Sequence, residues 1–170
     1  PRPIHAGDIL ILVQRRNTLF DAIITACKTR GIDVAGADRL KLEGELAVQD
    51  ILATLKFIDL QEDSLSLATA LRSPLFGWDE DALHRLAAGR PAGMSLWEAL
   101  RKSEGHKDTV DVLQDLRDAS DFLRPYDLIA RLLTRHAGRA RLIARLGPEA
   151  EDGIDAALVR ARAYEKQNAA

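Results

Sequence analysis

Two adjacent arginines, Arg15 and Arg16, follow an unbroken apolar run of Ile9, Leu10, Ile11, Leu12 and Val13. A guanidinium placed there, beside the start of a helix, can grip a phosphate through two parallel hydrogen bonds. The plain alternative is a solvated turn that happens to be basic. A second concentration of cations comprises Arg131, Arg135, His136, Arg139, Arg141 and Arg145. Such a cluster can follow a nucleic-acid backbone. It can equally complement helix ends and pair with Glu149, Glu151, Asp152 and Asp155, and the closeness of that acidic run favours internal pairing. The nearest approach to clustered carboxylates, Asp50, Asp59, Glu62 and Asp63, falls on a helix exterior and its terminal turn, with no histidine or nucleophile at a suggestive spacing. One cysteine and four scattered histidines make no metal-ligand pattern. No GxxxxGK[ST] phosphate loop occurs.

The elements that would position Arg15 are a strand and a helix. Residues 9–13 are apolar at every position, as in a strand buried on both faces. Asn17 or Thr18 can cap a helix whose stripe is Leu19, Ala22, Ile23 and Ala26, and Gly31 is placed to end it. A second short apolar run begins at Ile32. The pattern predicts one βαβ unit with two parallel strands, and open parallel sheets bind ligands at the carboxyl ends of their strands. The rest of the chain never repeats this pattern, so the unit looks like a piece of a larger domain.

Beyond Gly36 the chain reads as helical. Val48, Ile51, Leu52, Leu55 and Ile58 share a helix face that ends near Leu60. Asp63 or Ser64 caps a short helix carrying Leu65, Leu67, Ala68 and Leu71, which Pro74 stops. Trp78 or Asp79 opens another, with Leu83 and Leu86 inward. Ser95 caps a helix with Leu96, Trp97 and Leu100. A long helix then places Val110, Leu113, Leu116 and Phe122 inward. Pro125 suits the first turn of a helix bearing Leu128, Ile129, Leu132 and Leu133. Gly138 breaks the pattern, and residues 140–146 and 149–166 supply two further helices. The predicted fold class is mainly α, with a short βαβ unit at the N-terminal end.

Residues 9–17, followed by Gly31-Ile32-Asp33-Val34, resemble motif IV and its following helix and strand in UvrD/Rep-type superfamily 1 helicases. Three later segments sharpen the likeness. Residues 35–40 with 47–52, and residues 71–77, resemble the AddA-type subunits of bacterial double-strand-break-repair helicase–nucleases, and so does the stretch from Ala144 to Glu165. Motif IV alone is a weak signal; four such segments in order, over essentially the whole chain, are fairly specific. The resemblance implies that residues 1–37 are a portion of motor domain 2A and residues 38–170 a helical 2B-like bundle. It implies that Arg15, or Arg16 if the register slips by one, contacts the ATP γ-phosphate and stabilises charge on the transferring phosphoryl group. It also likens Arg72, Ser73 and Gly77 to a helix–turn–helix whose backbone amides meet duplex DNA phosphates. That match is partial: Asp79 stands where the family has a second glycine, and Phe76 where it has a basic residue. Asp79 would repel a phosphate and is also an ordinary N-cap, while Leu75, Phe76 and Trp78 can simply fill a core around the turn. DNA-contact candidates are therefore Arg72, Ser73, Gly77, Arg131, Arg135 and Arg139.

The same resemblance places ATP and Mg²⁺ in the parent protein, with none expected on this segment, which would be inactive alone. DNA and an AddB-type subunit are the implied partners of the parent. The chain starts at Pro1 and ends in Gln167-Asn168-Ala169-Ala170, ends expected of a segment of something longer. Its net charge of −2, from 24 basic and 26 acidic residues, is unlike a dedicated nucleic-acid binder. Cys27 alone allows no internal disulfide, which with the absence of any membrane-length apolar run suits a bacterial cytoplasm and no membrane partner. Two strands separated from their sheet would have exposed edges open to self-association. A freestanding helical protein-interaction module, without ATPase or DNA activity, is the alternative reading.

Overall fold

A computed structural model of the chain describes residues 2–12, 18–32, 34 and 42–168. The chain divides into two units, Pro1–Leu40 and Lys41–Ala170. The described residues are mainly helical, as the periodicity predicts.

In the first unit a one-turn 3-10 helix, Ala6–Asp8, precedes α1, Thr18–Thr29. Gly31, with φ +66°, ends α1 as expected. Its N–H donates to Lys28 O at 2.9 Å and that of Ile32 to Cys27 O at 3.0 Å, the paired bonds of a Schellman motif. The helix begins at Thr18, and Asn17 falls outside the described residues.

The expected parallel strands are not formed among the described residues. Ile9 is extended, but residues 9–12 join no ladder, and Leu10 and Leu12 are 80% and 84% exposed. The reason is physical. A strand apolar on both faces needs neighbours on both edges and cover on both faces, and two strands alone are marginal in water. The stripe of α1 is likewise exposed at Leu19 and only half-buried at Ile23. Val13, Asp33 and Ala35 lie outside the described residues.

The second unit is built on α2, Leu46–Asp59, which buries Ala47, Val48, Ile51, Ala53, Thr54, Phe57 and Ile58. Gln49, Lys56, Asp59 and, against the expected inward face, Leu52 form an exposed stripe, and four other helices pack around the rest, which makes α2 the central helix. Its hydroxyl-bearing member is satisfied: Thr54 Oγ1 donates to Asp50 O at 3.0 Å. Around it stand α3 (Ser64–Arg72), α6 (Lys107–Ser120), α8 (Gly138–Leu146) and α9 (Ala150–Gln167). The helices α4 (Glu80–Ala88) and α5 (Leu96–Lys102) pack on each other and on α3, while α7 (Pro125–Thr134) joins α6, α8 and α9.

Local chemistry sets four of the helix starts. Asp63 caps α3 by accepting from Ser66 N, Asp79 caps α4 by accepting from Ala82 N, and Ser95 forms a capping box with Glu98. Pro125 occupies the first turn of α7. Two expectations change. Phe122 does not point inward: α6 stops at Ser120, and Phe122 is 86% exposed while Leu123 packs against the core. Gly138 does not carry the break before α8 but opens that helix, and the left-handed residue is Ala137, with φ 54°.

Candidate nucleic-acid interface

Arg15 and Arg16 lie outside the described residues. The remaining candidates all fall in the second unit, where each has a definite set of partners.

Ser73 is 4% exposed and organises the turn between α3 and α4. Its hydroxyl donates to Ala70 O at 2.6 Å and accepts from Leu75 N at 3.2 Å. Its carbonyl accepts from Phe76 N at 3.2 Å and Gly77 N at 2.8 Å, and Trp78 N donates to Leu71 O at 2.9 Å. The amides of residues 75–78 are thus all engaged inside the turn. Gly77 sits at φ +69°, a conformation that suits glycine. Arg72 closes the loop, with Nη1 donating to Trp78 O at 2.9 Å and Nη2 lying 3.9 Å from Glu80. Leu75 and Trp78 are buried. This arrangement accounts for the segment as a built corner of the core.

Arg131, Arg139 and Arg141 of the later cluster are also committed. Arg131 Nε and Nη2 donate to the Asp115 carboxylate at 2.7 and 2.6 Å, and His136 Nε2 lies 2.6 Å from the same group. Arg135 Nε is 3.8 Å away. The Arg131 guanidinium holds the Asp115 carboxyl well below the usual carboxylate range. Arg139 pairs with Asp155, and with Glu151 at 3.1 Å, two of the acids whose position in the sequence favours internal pairing. Arg141 Nη1 donates to Leu75 O at 2.5 Å and so ties α8 to the turn after α3. The sequence offers no sign of Asp115 as the hub, because it lies a helix away from the cations it gathers.

Two open clefts flank α4. One, of about 590 Å³, lies beside the corner and is lined by Asp79, Asp108, His106 and Arg141. The other, of about 430 Å³, lies between the ends of α4 and α5 and is lined by Arg85, Arg90, Lys102 and His106 without any carboxylate. Sequence reasoning passed over these cations, since they are spread along the chain and meet only through the packing of α4 on α5. Among the described residues no cluster of three His, Cys, Asp or Glu is arranged to hold a metal ion. No described helix is long and apolar enough to cross a membrane.

No family model matches the chain. Comparison with curated proteins gives a consistent result. The chain is similar to the A-type subunits of bacterial ATP-dependent helicase/nucleases. It is 31% identical to that of Streptococcus thermophilus over 187 aligned residues, covering 96% of this chain and 15% of the relative. Against Lacticaseibacillus casei the identity is 29%, covering 96% and 14%, and against Desulfitobacterium hafniense 25%, covering 91% and 11%. The chain therefore spans only 11–15% of the length of these helicase/nuclease subunits, while nearly all of it takes part in the match.

Proposed function

We propose that this chain is a segment of an AddA-type ATP-dependent helicase/nuclease that acts in double-strand-break repair. It would join the motif IV edge of motor domain 2A to a helical 2B-like domain that contacts duplex DNA or an AddB-type partner. The observation that carries this reading is a similarity to helicase/nuclease subunits that runs through nearly the whole chain in relatives from three genera. The exposed apolar residues 9–12 and the uncovered stripe of α1 support it, since both have the character of surfaces completed by a larger sheet domain.

On this reading Arg15 is the group that reaches the ATP γ-phosphate, with Arg16 as the neighbouring candidate. The sequence contains no phosphate loop, so ATP and Mg²⁺ are assigned to other parts of the parent, and this segment alone has no turnover. When bound there, the metal and the phosphate loop would supply most of the charge stabilisation, to which Arg15 adds one guanidinium.

The test is made in the parent protein. Arg15→Ala is expected to lower the ATPase kcat by roughly 10²-fold or more, in the range of other single phosphate-stabilising groups, while Arg16→Ala has a small effect. The reading frame around this segment should encode a phosphate loop upstream. A frame without one, or an Arg15→Ala protein with unchanged ATPase, returns the chain to the class of helical interaction modules.

A further inference from the structure

Most of the cations that stand out in the sequence are engaged within the unit, although Arg135 stays 63% exposed at 3.8 Å from Asp115 and Arg145 is exposed. Arg131, Arg139 and Arg141 are bound to acids or carbonyls within the unit. Arg162 lies over the Tyr126 ring at 4.7 Å, and Arg101 lies 6.0 Å from the Trp97 ring centre. By contrast, Arg85 and Lys102 form no ion pair and no side-chain hydrogen bond among the described residues. Lys102 feels Glu98 one turn back, but that carboxylate is engaged with Ser95. Arg90 makes only a long bond, 3.4 Å, to Ser64 Oγ.

These three cations line one cleft of about 430 Å³ whose wall contains no aspartate or glutamate, in a chain with more acids than bases. Leu86 and Met94 supply apolar wall, and the His106 ring lies between this cleft and its neighbour, stacked on Trp78 at 4.0 Å. Three like charges lining one cleft repel one another, and an incoming anion relieves that repulsion. The position of Arg85 and Lys102 in the last turns of α4 and α5 explains why cations are tolerated there. It does not explain why both turn to the same cleft as Arg90. Flexible side chains around an open cleft suit phosphodiester groups, which are contacted as point charges without base readout.

We infer that the cleft between α4 and α5 is a phosphodiester-binding site through which the helical unit holds the backbone of duplex DNA, with Arg85, Arg90 and Lys102 as the contacting residues. This rests on the helicase reading for the identity of the ligand, and it moves the DNA contact away from Arg131 and Arg139.

The test is fluorescence anisotropy of the purified 170-residue chain with a short labelled DNA duplex, across a sodium chloride series. Each phosphate contact contributes about 0.9 to the slope of log K against log salt. The double variant Arg85→Gln/Lys102→Gln is expected to reduce that slope by about 2 and to weaken binding roughly tenfold or more at moderate salt. Arg90→Gln should reduce it by about 1, and Arg139→Gln should leave it unchanged. Thermal melting of each variant checks that folding is intact. Absence of binding at low salt, or an unaltered slope in the double variant, overturns the assignment. Displacement of the duplex by polyglutamate at equal charge concentration also overturns it, since the cleft would then be a site for acidic peptide. None of these results bears on the Arg15 ATPase test, so the two readings fail separately.

Discussion

Asp115 on α6 receives both Nε and Nη2 of Arg131 on α7, at 2.7 and 2.6 Å, and is the only carboxylate in the ion pairs of Arg131, Arg135 and His136 among the described residues. The pair ties α6 to α7. Because both groups are largely covered, with 29% and 23% of their side chains exposed, removing the carboxylate leaves a guanidinium short of its partner.

Asp115→Ala is therefore expected to cost about 1–3 kcal/mol near neutral pH, the range for hydrogen bonds to charged groups. The pH dependence follows from the sign of the shift. Asp115 is held below its unfolded value, so its contribution is fully present above about pH 4 and is lost as the pH falls from there through the lower folded value. Urea unfolding of wild type and Asp115→Asn should show a stability gap at pH 7 that narrows in acid. A gap independent of pH would mean that the carboxylate charge contributes nothing.

Asp50 titrates in the opposite sense. It is half-buried on α2, makes no side-chain hydrogen bond or ion pair among the described residues, and burial pushes its carboxyl up to about 6. An acid raised in the folded state destabilises that state as it ionises, so stability should fall between about pH 4 and pH 6 and then level off. Asp50→Asn is expected to raise Tm at pH 7.5 and to leave it unchanged near pH 4. An equal Tm for the two proteins at both pH values would show that Asp50 is well solvated.

Trp97 is 1% exposed and packs edge-on against Phe57 at 5.3 Å, yet its Nε1–H has no acceptor among the described residues. Burying an unpartnered N–H costs about 1–3 kcal/mol, which offsets part of what the larger ring contributes. Trp97→Phe should thus cost less than about 1.5 kcal/mol, against about 3–5 for Trp97→Ala. Denaturant titrations in which the two variants are equally destabilised would mean that the indole N–H is satisfied in solution.

The turn between α7 and α8 carries a misplaced glycine. Ala137 has φ 54° while Gly138, next to it, is helical. Ala137→Gly should stabilise the chain by up to about 1 kcal/mol, because a left-handed conformation burdens a residue with Cβ. Gly138→Ala should destabilise it by about 1–3 kcal/mol, since a Cβ there would stand 2.7 Å from Leu132 O and 3.0 Å from Leu75 Cδ2. Thermal melts of the two variants should move in opposite directions, and an unchanged or raised Tm for Gly138→Ala would contradict the close approach at Gly138.

The sequence by itself determined where several of the helices start and where α1 stops. Asp63, Asp79 and Ser95 cap, Pro125 opens a first turn, and Gly31 closes α1, each through hydrogen bonds or sterics reaching no more than a few residues along the chain. Apolar spacing likewise marked Leu113, Leu116, Leu128, Ile129, Leu132 and Leu133 as core. What the tertiary structure alone decided depends on partners distant in sequence. Residues 9–12 have strand composition, but a ladder needs a neighbouring strand, and none is paired with them among the described residues. Phe122 and Leu123 both suit an inward position, and the end of α6 at Ser120 chose Leu123. Arg131 was legible as a cation but its commitment to Asp115 was not, because the crossing of α6 and α7 brings them together. For the same reason Arg85, Arg90 and Lys102, unremarkable along the chain, became a single cationic cleft only when α4 packed on α5.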